Sequence, residues 1–151
     1  MSNYTTKNNP LASPGRTFTE YQNAKAFAAL KSDGSVVTWG HGNSGGDSGS
    51  VSKHLKDNVC QIFSHSYGFA ALKNDGSVVR WGGWSGTDSS TSNNLKSGVK
   101  EISSTRNAFA ALKNNGSVVT WGYFGSLERQ SQVDLLATLS RFSLQGVPLQ
   151  H

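Results

Sequence analysis

The sequence predicts an all-β fold: β-propeller-type repeat blades, three units forming an incomplete ring or a composite ring by oligomerisation, with a short C-terminal helix. Three observations predict it. One segment recurs three times at a period near 40 residues, each copy centres on an Asx-Gly turn, and each ends on Trp-Gly. Residues 27–40 read FAALKSDGSVVTWG, 69–82 read FAALKNDGSVVRWG, and 109–122 read FAALKNNGSVVTWG. Their starts, Phe27, Phe69 and Phe109, lie 42 and 40 residues apart. Self-similarity at such a period marks units that cannot bury their faces alone and must stack.

Three segments follow from composition. Residues 1–16 are polar, with Pro10, Pro14 and Gly15, and are expected to form a flexible lead-in. Residues 17–126 form the repeat domain. Residues 127–151 differ from the repeats and are expected to be a helical cap or tail. Upstream of the second and third hairpins, VCQIFS and VKEISS align Val59 with Val99 and Ile62 with Ile102, supplying a third strand. The first unit lacks that pair and offers Phe18 and Tyr21.

Each repeated core reads as a hairpin closed by a two-residue type I′ turn, in which both central residues take positive φ. That turn places Leu30 opposite Val37, Ala28 opposite Trp39, Lys31 opposite Val36 and Ala29 opposite Thr38. Both faces are then apolar or small and need covering on both sides. Trp39, Trp81 and Trp121 are expected to be packing anchors. The polar stretch after each Trp is expected to link blades, with room for a short outer strand. A solenoid is the rival architecture. Near the C-terminus, Ser131-Gln132-Val133-Asp134 resembles a capping box, and Val133, Leu135, Leu136, Leu139 and Phe142 recur at helical spacing. Gly146 and Pro148 suit a stop, so a helix is expected near 132–144. It would cover the last blade or be presented to a partner.

Composition excludes several functions. The 151 residues carry a net charge of +5, and only 15% are charged, against roughly 25% in an average soluble domain. No apolar run approaches the roughly 18 residues of a membrane span. The N-terminus lacks a secretory core, which favours the cytoplasm; surface display or export without a signal is the alternative. Cys60 is the single cysteine, and His41, His54, His65 and His151 lack metal-ligand spacing, so no metal and no cofactor are expected.

Gly46-Asp47-Ser48-Gly49, near His41, resembles a protease nucleophile segment. Asp88-Ser89 repeats the Asp-Ser pair, however, and Gly83 stands where His41 does, which favours a turn. His41, Asp47 and Asp88 therefore remain candidates for binding, not catalysis. Lys31, Lys73 and Lys113 recur at the hairpin turn and form a basic row suited to an acidic partner. The other basic residues are scattered, which disfavours nucleic acid. Trp84 follows Gly82-Gly83 in a polar loop, where unit one has Gly42 and unit three has Phe124. Trp84, Tyr123 and Phe124 are candidate contact residues, with packing under the adjoining blade as the competing role.

The pattern V-x-x-I…F-A-A-L-K-x-D-G-S-V-V-x-W-G with its glycine-rich linker resembles the repeat of the regulator of chromosome condensation family. It is closer to the bacterial branch, which includes propeller inhibitors of β-lactamase. The resemblance spans roughly residues 17–122. It implies a propeller, seven-bladed as a rule, acting by binding proteins: some members are exchange factors for a small GTPase and some are enzyme inhibitors. Three blades cannot close a ring of about 4–8, so the chain is expected to self-associate or to be a piece of a longer array. The leading expectation is a non-enzymatic protein-binding or self-assembling module, a homo-oligomer, using its inter-blade loops. Alternatives are a carbohydrate-binding or adhesive module resting on Trp84 and Tyr123, and an enzyme inhibitor.

Overall fold

The computed structural model describes residues 18–85 and 89–123. The lead-in 1–16, the helix expected near 132–144, and the candidates Asp88 and Phe124 lie outside the described residues. Within them the chain is all-β, with three antiparallel three-stranded sheets in sequence order. Blade one is β1 (Phe18–Gln22), β2 (Ala26–Lys31) and β3 (Val36–Gly40). Blade two is β4 (Val59–His65), β5 (Gly68–Lys73) and β6 (Val78–Gly82); blade three is β7 (Val99–Ser104), β8 (Ala108–Lys113) and β9 (Val118–Gly122). The links after β3 and β6 contain no outer strand among the described residues. The first holds 3-10 turns at Gly42–Ser44 and Gly49–His54, and the second a short helix, α1 (Ser89–Asn94).

The hairpin register differs from expectation by one residue. Phe27 lies opposite Trp39, Ala29 opposite Val37 and Leu30 opposite Val36. The cause is the turn. Gly34 N–H donates to Lys31 O, and Lys31 N–H to Ser35 O, both at 2.9 Å, so three residues close the loop. Only Gly34 has positive φ, +83°. Asp33 instead accepts from the Ser35 N–H (2.9 Å) and Ser35 Oγ (2.6 Å), bonds that hold a type I turn followed by a glycine bulge. Asp75 and Asn115 repeat both bonds. A one-residue slip exchanges the two faces of a strand. The consequence is a Phe–Trp stack in every blade, with centroids 5.4, 5.4 and 5.1 Å apart.

The blades stack face to face. Ala26, Ala28 and Val36 of blade one pack with Ile62, Phe69, Ala71, Val79 and Trp81 of blade two, together with Tyr21 and the linker residue Leu55. Ala70 and Leu72 of blade two repeat this against Ile102, Phe109, Ala111 and Trp121 of blade three, with Leu95. Each linker is stitched to the blade before it: Val36 N–H donates to Leu55 O and Val78 N–H to Leu95 O. Across the seams, Val59 N–H donates to Gly34 O and Val99 N–H to Gly76 O.

Trp81 and Trp121 are the buried anchors expected, at 2% and 3% exposure, but Trp39 is 41% exposed. The difference lies in the neighbour. The Trp81 indole donates to Gly45 O at 3.0 Å, and Phe69 lies against Gly45, so the preceding blade and its loop cover the stack. Among the described residues no blade precedes blade one. The basic row is also altered. Lys73 Nζ donates to His54 O (2.8 Å) and Lys113 Nζ to Asn94 O (2.7 Å), each neutralising carbonyls at the end of a linker helix.

Candidate functional site

One rim of the stack carries the site. Its framework is a hydrogen bond made at the same place in every unit. The residue two after the Trp donates its N–H to the residue two before the Phe: His41 to Lys25 O, Gly83 to Tyr67 O and Tyr123 to Asn107 O, at 2.9, 2.7 and 2.9 Å. Strand ends and inter-strand turns are thus pinned together while their side chains vary. A further bond, Ser66 N–H to Arg106 O at 2.8 Å, ties the rims of blades two and three.

On this framework three aromatic rings meet at the seam between blades two and three. Trp84 stacks on Tyr123 with centroids 4.8 Å apart and planes 28° apart. Tyr67 meets Trp84 edge-on at 4.6 Å. All three remain exposed, at 40%, 52% and 37%. Trp84 also has φ +55°, in the left-handed region where a Cβ is crowded and a non-glycine residue costs roughly 1–2 kcal/mol. Unit one has Gly42 in that place.

His65 lies beneath the cluster, fully buried, 4.6 Å from the Phe109 ring and 6.1 Å from Trp84. Its Nδ1 accepts the Tyr67 N–H at 3.1 Å, so the neutral ring carries its proton on Nε2. Among the described residues Nε2 has no partner. Burial pushes the imidazole down to about 4, only partly offset by a backbone hydrogen bond. Neutral His65 thus fixes the turn that presents Tyr67.

Of the candidates read from sequence, the structure brings Trp84 and Tyr123 together. His41 and Asp47 are placed elsewhere, in the loop after blade one. His41 Nδ1 lies 3.3 Å from Ser44 Oγ, and Asp47 accepts the Gly49 N–H at 2.8 Å. Ser48 Oγ pairs with Thr38 Oγ1 at 2.9 Å, so these three side chains make local loop contacts. Sequence reasoning missed Tyr67 and His65. An aromatic beside a glycine at the inter-strand turn was the available signal for Tyr67.

A second concavity of about 440 Å³ lies between the two linkers, lined by His54, Lys73, Asp75, Arg80, Ser92 and Lys96 among others. Two of its cations, Arg80 and Lys73, have intramolecular partners. Arg80 donates to Ser85 O and Ser92 Oγ and lies over the Trp121 ring, and Lys73 also lies 3.9 Å from Asp57. Among the described residues no three His, Cys, Asp or Glu side chains could hold a metal ion, and no helix is long and apolar enough to cross a membrane. Cys60 donates to Leu72 O at 3.3 Å, and burial raises its thiol.

No family model and no curated protein matches the chain. Among solved structures it is similar to Prp20p of Saccharomyces cerevisiae, a protein studied for its binding to Gsp1p and histones. The identity is 19% over 70% of this chain and 31% of that one, with a TM-score of 0.48. Human WBSCR16 is similar at 22% identity over 74% of this chain and 36% of that one, with a TM-score of 0.47. The chain spans about a third of the length of these two structures.

Proposed function

We propose that the chain is a non-enzymatic scaffold that binds protein, using the aromatic rim for a partner and the open face of blade one for self-association. The observation that carries the rim reading is Trp84, a bulky exposed aromatic held at φ +55°, whereas Gly42 at that place in unit one has no positive φ. The fold does not require a side chain there, so the contact surface accounts for it. Trp and Tyr are the side chains that concentrate binding energy at interface centres, because they bury large rigid areas at low entropic cost. The repeat's resemblance to the regulator of chromosome condensation family supports a binding role.

Carbohydrate binding is the second reading, favoured by the partly exposed rings of Trp84 and Tyr123; inhibition of an enzyme is a special case of the first. The discriminating variant is Trp84→Gly, which removes the ring and relieves the backbone. Full-length wild type and variant are compared by capture from lysate and on a glycan array. A protein captured by wild type and lost with Trp84→Gly, with a blank array, is the expected result. Glycan binding lost with the variant selects the second reading. Equal capture by both chains overturns the rim as the contact surface.

A further inference from the structure

Blade three is buried on the face that no described blade adjoins. Ala108, Ala110, Leu112 and Val118 form an apolar cluster there that holds no residue of another blade. Leu112 is nonetheless 8% exposed, the same as Leu72, its counterpart beneath blade three. The alanines alone would not decide this, since Ala29 is 3% exposed on the open face of blade one, opposite the larger Glu20 and Val37. Leu112 does decide it. On an uncovered face it would stand out as Val37 and Trp39 do, at 47% and 41%. Glu101, opposite Leu112 in the ladder, also has its Oε1 buried with no partner among the described residues.

The covers of the internal seams show what fits such a face. Each begins with a linker leucine, Leu55 or Leu95, whose carbonyl accepts from Val36 or Val78 of the blade being covered. A valine follows 4 residues later and an isoleucine 3 after that, as Val59 and Ile62 or Val99 and Ile102, all within the same cores. Leu95 lies 14 residues after Trp81. The chain beyond blade three keeps this count. Leu135 lies 14 residues after Trp121, Leu139 lies 4 further on, and Phe142 lies 3 beyond that. Steps of 4 and 3 also hold three side chains on one side of a helix, the element expected near 132–144.

We propose that the segment 124–151 seals blade three, with Leu135, Leu139 and Phe142 in the places that Leu95, Val99 and Ile102 take on blade two. The occupant follows from position and spacing. The segment continues directly from blade three, whereas the lead-in enters at blade one, and its Met1, Tyr4 and Leu11 have no such spacing. Terminal units of a repeat array need a cover of their own, and this one reuses the apolar count of the internal covers. The cap goes beyond the binding role above and does not rest on it. It gives the stack two unlike ends, and leaves self-association to the face of blade one.

The test uses the full chain in a Cys60→Ser background. Val118→Cys with Leu135→Cys, treated with a short thiol cross-linker, should link within one chain, at the 16.1 kDa chain mass, whereas Val118→Cys with Leu11→Cys should not. Taken singly, Leu112→Cys should react with a thiol label at least roughly tenfold more slowly than Val37→Cys. Phe142→Asp should abolish that protection while Leu72→Cys, in an internal seam, stays protected. The Leu72→Cys control separates loss of the cap from loss of the fold. The cross-link is read without Phe142→Asp, so it decides the case in which that variant unfolds. A 118–135 link that is absent or forms only between copies overturns the cap. So does a link from 118 to 11, equal labelling at 112 and 37, or protection at 112 that survives Phe142→Asp.

Discussion

Replacing His65 should flatten the acid side of the stability profile. The ring is fully buried and titrates at about 4 in the folded chain, against an ordinary value of 6.5. The unfolded chain therefore takes up its proton first as pH falls. Stability from this group is complete above pH 6.5 and is lost as pH falls towards 4. The full difference is about 3 kcal/mol, at roughly 1.4 kcal/mol per unit, and about 2 kcal/mol of it is gone by pH 5. His65→Asn is the control, because its amide oxygen can accept the Tyr67 N–H in place of Nδ1. The variant loses ring packing against Phe109 and is weaker at all pH values, but it has no proton to gain. Urea unfolding at pH 7.5 and 5.0, followed by Trp fluorescence at one protein concentration, gives the comparison. Groups common to both chains cancel in the difference. Wild type should lose about 2 kcal/mol more than His65→Asn between the two pH values. Parallel losses would refute the claim that a buried neutral imidazole holds the Tyr67 turn.

Three further outcomes follow from the packing. Trp81→Ala should cost about 3–5 kcal/mol in urea unfolding, whereas Trp39→Ala, the same residue in the same motif, should cost less than about 1 kcal/mol, because only Trp81 is covered. Gly45→Ala should cost about 2–4 kcal/mol by the same assay, since a Cβ there lies 2.5 Å from Phe69 Cδ2 on a backbone at φ +100°. In a carboxyl NMR titration, Asp33 and Asp75 should have midpoints below the ordinary carboxylate range, held there first by the Ser35 and Ser77 hydroxyls, and Ser35→Ala should return Asp33 towards that range.

The repeat made the blades legible because a threefold recurrence of strand, turn and strand leaves little choice of local structure. The register was not legible. Asp-Gly suits both a two-residue type I′ loop and a type I turn with a glycine bulge, and the choice depends on whether Asp33 takes positive φ or bonds to Ser35. No rule of spacing decides that, and the one-residue error moved Trp39 from Ala28 to Phe27. Trp84 and Tyr123 were legible singly, as aromatics in polar loops. Their contact was not, because it joins loops from neighbouring blades and depends on how the sheets stack. Tyr67 escaped notice because Lys25 and Asn107 hold its place in the other units, so the repeat marks that place as variable.

That variability is itself an argument about where function lies. The seam tolerates little change. A Cβ on Gly45 would meet Phe69, and one on Gly46 would meet the backbone at Gly40. The backbone bonds at the rim positions His41 and Tyr123 use no side-chain atom, although at the equivalent Gly83 a Cβ would press on Asn43 O and Tyr67. Substitution there changes the chemistry shown to a partner without moving a blade, which is the usual division between a rigid scaffold and its binding loops. The three units use that freedom differently, with Gly42, Trp84 and Phe124 at one place and Lys25, Tyr67 and Asn107 at another. Blade two carries an aromatic in both sets, and unit three carries one, Phe124, in the first. A side chain chosen for packing would recur with the blade, as Phe69 and Trp81 do. One that gives way to glycine in another blade, and stands at the cost of a left-handed backbone as Trp84 does, answers to something outside the repeat.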